Sequence, residues 1–138
     1  MMAHENVGAV LTDLKVRVAG LVAALISRDG QIVSADFPEG TPAETFAIMC
    51  ATVLGAAGTA ITELERPRPE RITIEGADSK TVIMGVGVGA LLVVVAESSS
   101  DSRTLLDEVA KFADLLAKGE SFGTVIRDTA RAKDDSYQ

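Results

Sequence analysis

The chain has 138 residues, 47% of them hydrophobic and only 4% aromatic, with no tryptophan. That length suits one domain with a core of Val, Leu, Ile and Ala, large enough to bury ~68% of its unfolded surface. A net charge of −7 argues against nucleic-acid binding, and the single cysteine, Cys50, excludes an internal disulfide and a zinc site built on several thiolates.

Val7, Val10, Leu11, Leu14 and Val18 recur at helical spacing and predict a first helix over about Asn6–Arg17, with Gly20 as its stop. No basic stretch followed by an apolar one precedes it, so the expectation is a cytoplasmic protein without a signal peptide. Leu21 to Ile26 is a short unbroken apolar run ahead of an Arg28-Asp29-Gly30 turn, as in a strand covered on both faces. Gln31 to Phe37 is more polar and returns as the second arm of a hairpin.

Thr41 to Glu65 is the most unusual stretch. Thr41-Pro42-Ala43-Glu44 reads as a capping box opening a long helix, and the prolines of Arg66-Pro67-Arg68-Pro69 forbid its continuation. No charge lies between Glu44 and Glu63. At ~100° per residue the helix divides into three sectors. Phe46, Met49, Cys50, Val53, Leu54 and Ile61 lie in an apolar arc expected to face the sheet, which makes Cys50 a buried small hydrophobe. Ala47, Ala51, Gly55, Gly58 and Thr62 form a small-residue sector that lets another helix approach, of this chain or of a second copy. Thr45, Ile48, Thr52 and Thr59 remain, with Glu63, as a face suited to a protein partner. The four threonines, two glycines and soluble-type cap make the run a poor membrane span, so no membrane insertion is expected.

Arg71-Ile72-Thr73-Ile74-Glu75 alternates like an edge strand, and Gly76-Ala77-Asp78-Ser79 supplies a turn. Thr81–Val86 and Ala90–Ala96 are two further strands joined through Gly87-Val88-Gly89. Ser98-Ser99-Ser100-Asp101 offers several N-caps for a third helix traced by Leu105, Leu106, Val109, Phe112, Ala113 and Leu116, ending near Lys118-Gly119. Residues 1–119 are expected to form the domain, and 120–138 a tail, partly disordered or carrying a short docking helix. The order is helix, two strands, helix, three strands, helix. This is an α/β arrangement of the α+β type: a largely antiparallel sheet covered by helices, with strands one and five inside and two and three at the edges.

No chemistry emerges from the motifs. The glycines of Gly85-Val86-Gly87-Val88-Gly89 are followed by a strand, whereas a dinucleotide fingerprint needs a helix there. His4 lies in a terminus expected to be mobile, Ser98–Ser100 has no base nearby, and Arg66, Arg68 and Arg71 read as surface charge. No catalytic residue, metal ligand or cofactor is assigned, and the chain is not expected to be an enzyme.

The run from Val18 to Val33 resembles the opening pattern V-x-G-x-x-A-A-L-I-x-x-x-D-G-x-x-I of the Roadblock / dynein light chain superfamily. Met49–Leu64, with Ala51, Leu54, Gly55 and Ala56, continues the likeness, followed by Ile72–Gly76, Val82–Met84 and Leu91–Val95, so that it spans about Val7 to Lys118. The resemblance implies a five-stranded antiparallel sheet in order 2-1-5-4-3, with the long helix on one face and the two terminal helices on the other. It also implies a homodimer in which third strands pair along Arg71, Ile72, Thr73, Ile74 and Glu75 and long helices pack through the small-residue sector. Prokaryotic members commonly partner small Ras-like GTPases, and in gliding motility one acts as the GTPase-activating subunit. Regulation of such a GTPase is therefore the expected function, and a non-catalytic scaffold tethering a larger complex is the alternative.

Overall fold

The computed structural model describes residues 2–118, with side chains from Asn6 onward; the expected tail at 120–138 lies outside the described residues. The elements run α1 (Met2–Arg17), β1 (Gly20–Ser27), β2 (Ile32–Asp36), α2 (Ala43–Glu63), β3 (Arg71–Glu75), β4 (Ser79–Val86), β5 (Ala90–Glu97) and α3 (Ser102–Lys118). They form one five-stranded sheet in order β2-β1-β5-β4-β3, every neighbouring pair antiparallel. The edges are the two strands whose polarity pointed there.

Period-two alternation sorts the side chains of the inner strands between two cores. Ala23, Leu25, Val82, Met84, Val86, Leu92 and Val94 point to the layer of α1 and α3, where Leu11, Leu14, Leu105, Val109, Phe112 and Leu116 meet them. Val22, Ala24, Ile26, Ile83, Leu91 and Val93 point the other way, to a smaller core with Ala47, Cys50 and Leu54 of α2. Phe37, just past β2, meets Phe46 edge-on with ring centroids 5.6 Å apart and extends this core.

Four local expectations need correcting. Helix α1 begins at Met2, so the backbone of His4 is helical rather than part of a loose terminus. The helix stops through Ala19, whose φ is 51°, and not through Gly20, which already belongs to β1. Gly20 serves a different purpose: a Cβ there would lie 3.2 Å from Val18 Cγ2 and 3.4 Å from the carbonyl of Val95, so its bareness lets the end of α1 close onto β5. The capping box at Thr41 does not form. Thr41 Oγ1 donates to the Pro38 carbonyl at 2.7 Å, Pro42 occupies the cap position, and no side chain caps α2. Ser79 leaves the expected turn to open β4, opposite Glu97 of β5.

The other end of α2 closes as the prolines required. Leu64 and Glu65 donate to the carbonyls of Ile61 and Thr62, and Glu65 takes a left-handed φ of 58°. By contrast α3 is well capped: the Asp101 carboxylate accepts from the Thr104 N–H at 2.9 Å and from Thr104 Oγ1 at 2.8 Å. Those two bonds, the backbone one first, hold the Asp101 carboxyl below its ordinary pKa.

Candidate interaction face

Helix α2 sits on the sheet rotated from its expected orientation. Ala47, Cys50, Leu54 and Gly58 are buried, whereas Met49 is 52% exposed, Val53 40% and Leu64 69%. The centre of the buried arc is displaced by about 70° at ~100° per residue, toward the small residues. Volume explains the rotation. The sheet offers Val22, Ile26, Ile83, Leu91 and Val93 on this face, and small side chains opposite these branched ones let the helix approach closely. Gly30, with φ 93°, does the same for the β1–β2 turn, where a Cβ would come within 2.8 Å of Ile48 Cα.

The small-residue sector is thereby divided. Ala47 and Gly58 are buried within the chain, Ala51 is half-buried, and Gly55 and Thr62 are exposed. A Cβ on Gly55 would meet nothing within 4 Å. Thr45, Ile48, Thr52 and Thr59 all face outward. Met49 and Val53 join them, although helical periodicity alone assigns both to the core. The bulk of the opposing strand residues was the signal that could have found them.

This outward face is easier to desolvate than its threonines suggest. Thr52 Oγ1 donates to the Ile48 carbonyl at 2.8 Å, Thr59 Oγ1 to that of Gly55 at 3.2 Å, and Thr62 Oγ1 to that of Thr59 at 2.9 Å. Each hydroxyl proton is already bonded to its own helix, so no donor is left unpaired when a partner covers it. Cys50, by contrast, is buried beneath the helix, and desolvation pushes its thiol up to about 11.

Strand β3 borders the same side of the molecule. Among the described residues it pairs only with β4, which leaves one edge of its backbone unbonded there. Arg71, Thr73, Ile74 and Glu75 are exposed, Ile74 at 45%, and Ile72 is half-buried against the α2-side core. Among the described residues no group of His, Cys, Asp and Glu could hold a metal ion, and the glycine-rich run is a β4–β5 hairpin with Gly87 at φ 58°.

A three-layer α+β domain whose longest helix turns an uncharged, partly apolar face outward belongs to the class of domains that present a helical platform beside a bare sheet edge. The match to the Roadblock/LC7 domain over residues 9–96 makes the chain a member of that family. Among solved structures, the fold is similar to MglB in a tetrameric arrangement, at 20% identity over 89% of this chain and 92% of that one, with a TM-score of 0.81. It is similar also to Myxococcus xanthus MglB, at 21% identity over 82% and 93% of the two chains with a TM-score of 0.78. The gliding protein MglB of Thermus thermophilus aligns at 18% identity over 91% and 92%, with a TM-score of 0.76. No curated protein matches the chain.

Proposed function

We propose that this chain is a cytoplasmic, non-catalytic regulator of a small Ras-like GTPase and acts as a homodimer. The observation that carries this reading is the uncharged outward face of α2, on which Ile48, Met49 and Val53 stand among threonines already bonded to their own helix. The helix is long and apolar enough to cross a membrane. Its stripe of Ala47, Cys50 and Leu54 is nevertheless packed on a sheet, which favours a protein occupant on the opposite face. Gly55, Thr62 and the free edge of β3 face the sister chain, and Thr45, Ile48, Thr52 and Thr59 face the GTPase. The fold likeness to MglB and the resemblance to GTPase-partnering members support the choice of partner.

Light scattering at micromolar concentration should give twice the chain mass, and a clean monomer would remove the dimer. Met49→Glu with Thr52→Glu places carboxylates on the outward face; Ile48 is left in place because it also rests on Gly30. Burying those charges in a complex costs several kcal/mol, so affinity for the GTPase should fall at least ~100-fold. Undiminished binding by an intact double variant would overturn the site. Wild-type binding with unaltered GTP turnover would hand the role to the scaffold alternative.

A further inference from the structure

Strand β3 is complementary to its own reverse. Arg71-Ile72-Thr73-Ile74-Glu75 has opposite charges at its ends, isoleucines inside them and a threonine at the centre. Turned end for end, as a twofold axis turns it, the strand sets arginine against glutamate and isoleucine against isoleucine. Its faces are already sorted by β4. Ile72 stands opposite Ile83 of the α2-side core, whereas Arg71 and Thr73 stand opposite Met84 and Val82 of the α3-side core. Alternation therefore places Ile72 and Ile74 on the α2 face of the sheet, and Arg71, Thr73 and Glu75 on the α3 face.

The β3–β4 ladder also fixes which backbone groups are left over. The Glu70 carbonyl accepts from the Gly85 N–H at 3.0 Å, and bonded pairs recur at every second residue of an antiparallel ladder. Ile72 and Ile74 thus turn their N–H and C=O to β4, and Arg71, Thr73 and Glu75 turn theirs to the free edge. The charges have no partner either: among the described residues neither Arg71 nor Glu75 forms an ion pair. Lys80, directly across from Glu75, donates instead to the Ser100 carbonyl at 2.6 Å and to Ser102 Oγ at 2.8 Å.

We propose, resting on the homodimer reading above, that two copies of β3 pair antiparallel about an axis through Thr73, with Arg71 of each opposite the partner's Glu75. In that register Arg71, Thr73 and Glu75 exchange backbone hydrogen bonds with the partner's Glu75, Thr73 and Arg71, so every outward group of the strand is used. Ile72 meets the partner's Ile74 on the α2 face, which covers the 45% exposed Ile74. Other axes lose this match. Through Ile72, Glu75 faces the partner's Pro69, which has no N–H to donate. Through Ile74, Arg71 faces the partner's Ala77. Through Arg71 or Glu75, like charges meet directly, which destabilises a cross-strand pair.

The test is sedimentation of charge-reversed chains at low ionic strength. Arg71 and Glu75 are exposed, so Arg71→Glu and Glu75→Arg should keep the fold. Each should weaken self-association about 10-fold or more, because both symmetry-related pairs become repulsive. The two reversals in one chain should associate as the wild type does. Mixing the two single variants should give a mixed dimer well above the statistical half, with both ion pairs restored. Thr73→Cys should form an inter-chain disulfide under mild oxidation, since the Cα atoms of a bonded pair lie about 5.5 Å apart; Ile74→Cys should not. A monomeric wild type would overturn the dimer and the register together. A wild-type dimer indifferent to both reversals, single variants that mix only statistically, or crosslinking through Ile74→Cys instead of Thr73→Cys would overturn the register and leave the dimer standing.

Discussion

Helices α2 and α3 cover opposite faces of the same sheet in opposite ways. Helix α3 buries Leu105, Val109, Phe112, Ala113 and Leu116 and shows water Asp107, Lys111, Asp114 and Lys118. Helix α2 buries Ala47, Cys50, Leu54 and Gly58 and shows water Ile48, Met49 and Val53. The first has its charges outside and its large groups inside except for Leu115, which stands alone among charged neighbours. The second has spent its small residues on the sheet and kept larger ones outward, which is the pattern of a helix with a second surface to meet. One chain thus carries a stability face and the face proposed for association, and the two should answer differently to substitution.

The largest contrast lies in truncation. Leu105→Ala or Leu116→Ala should lose about 2–5 kcal/mol in urea unfolding, because each removes a buried side chain and leaves a cavity. Met49→Ala should lose less than about 1 kcal/mol of the concentration-independent stability. Equal losses would erase the distinction between the two helices. Gly55→Leu sharpens it by splitting the two readouts. Nothing lies within 4 Å of a Cβ there, and the gain in helix propensity, up to ~1 kcal/mol, should leave the concentration-independent stability of the chain equal or higher. Association, followed by sedimentation, should weaken all the same; a variant that associates like the wild type would exclude close helix approach at that position.

Cys50 reports whether α2 stays seated. Its burial and its raised pKa predict slow reaction with a thiol reagent in the native protein and fast reaction in denaturant. Rapid native labelling would mean that the helix lifts readily from the sheet. The smallest effect is expected at the α3 cap. The folded pKa of Asp101 is depressed, so its contribution is present above the unfolded value of about 4 and is lost as pH falls through the lower folded value. Comparing melting temperature against pH for wild type and Asp101→Asn should show a slightly flatter acid limb in the variant. Identical limbs would remove the cap from the comparison.

Much of this difference was legible in the residues, though not its orientation. The strands were readable because apolar runs such as Leu21–Ile26 and the alternation of Arg71–Glu75 report two-sided and one-sided cover directly. The uncharged length of α2 marked it as the helix with the unusual outer face. Its rotation could not be read from the helix alone, because which arc faces inward depends on the bulk of Val22, Ile83 and Leu91, distant in the chain. Thr41 shows a second kind of limit. A hydroxyl can cap the helix that follows or bond the carbonyl that precedes, and only the path through Pro38–Gly40 chose between them. Arg28 and Arg68 look like ordinary surface charge until the fold seats them on Gly85 and Gly58.

The two rims of the sheet are not alike either. Strand β2 is half-buried at four of its five positions and tied to α1 by Lys15–Asp36 at 3.0 Å, whereas β3 is exposed at four of its five. Among the described residues β3 is therefore the barer of the two rims for strand addition. The proposed pairing along β3 consumes the barer rim of both copies at once and leaves the two more covered β2 rims outward. On that proposal growth would stop at the pair: a twofold arrangement closes on itself, so an exposed strand used in this way would not make the domain the monomer of a fibre.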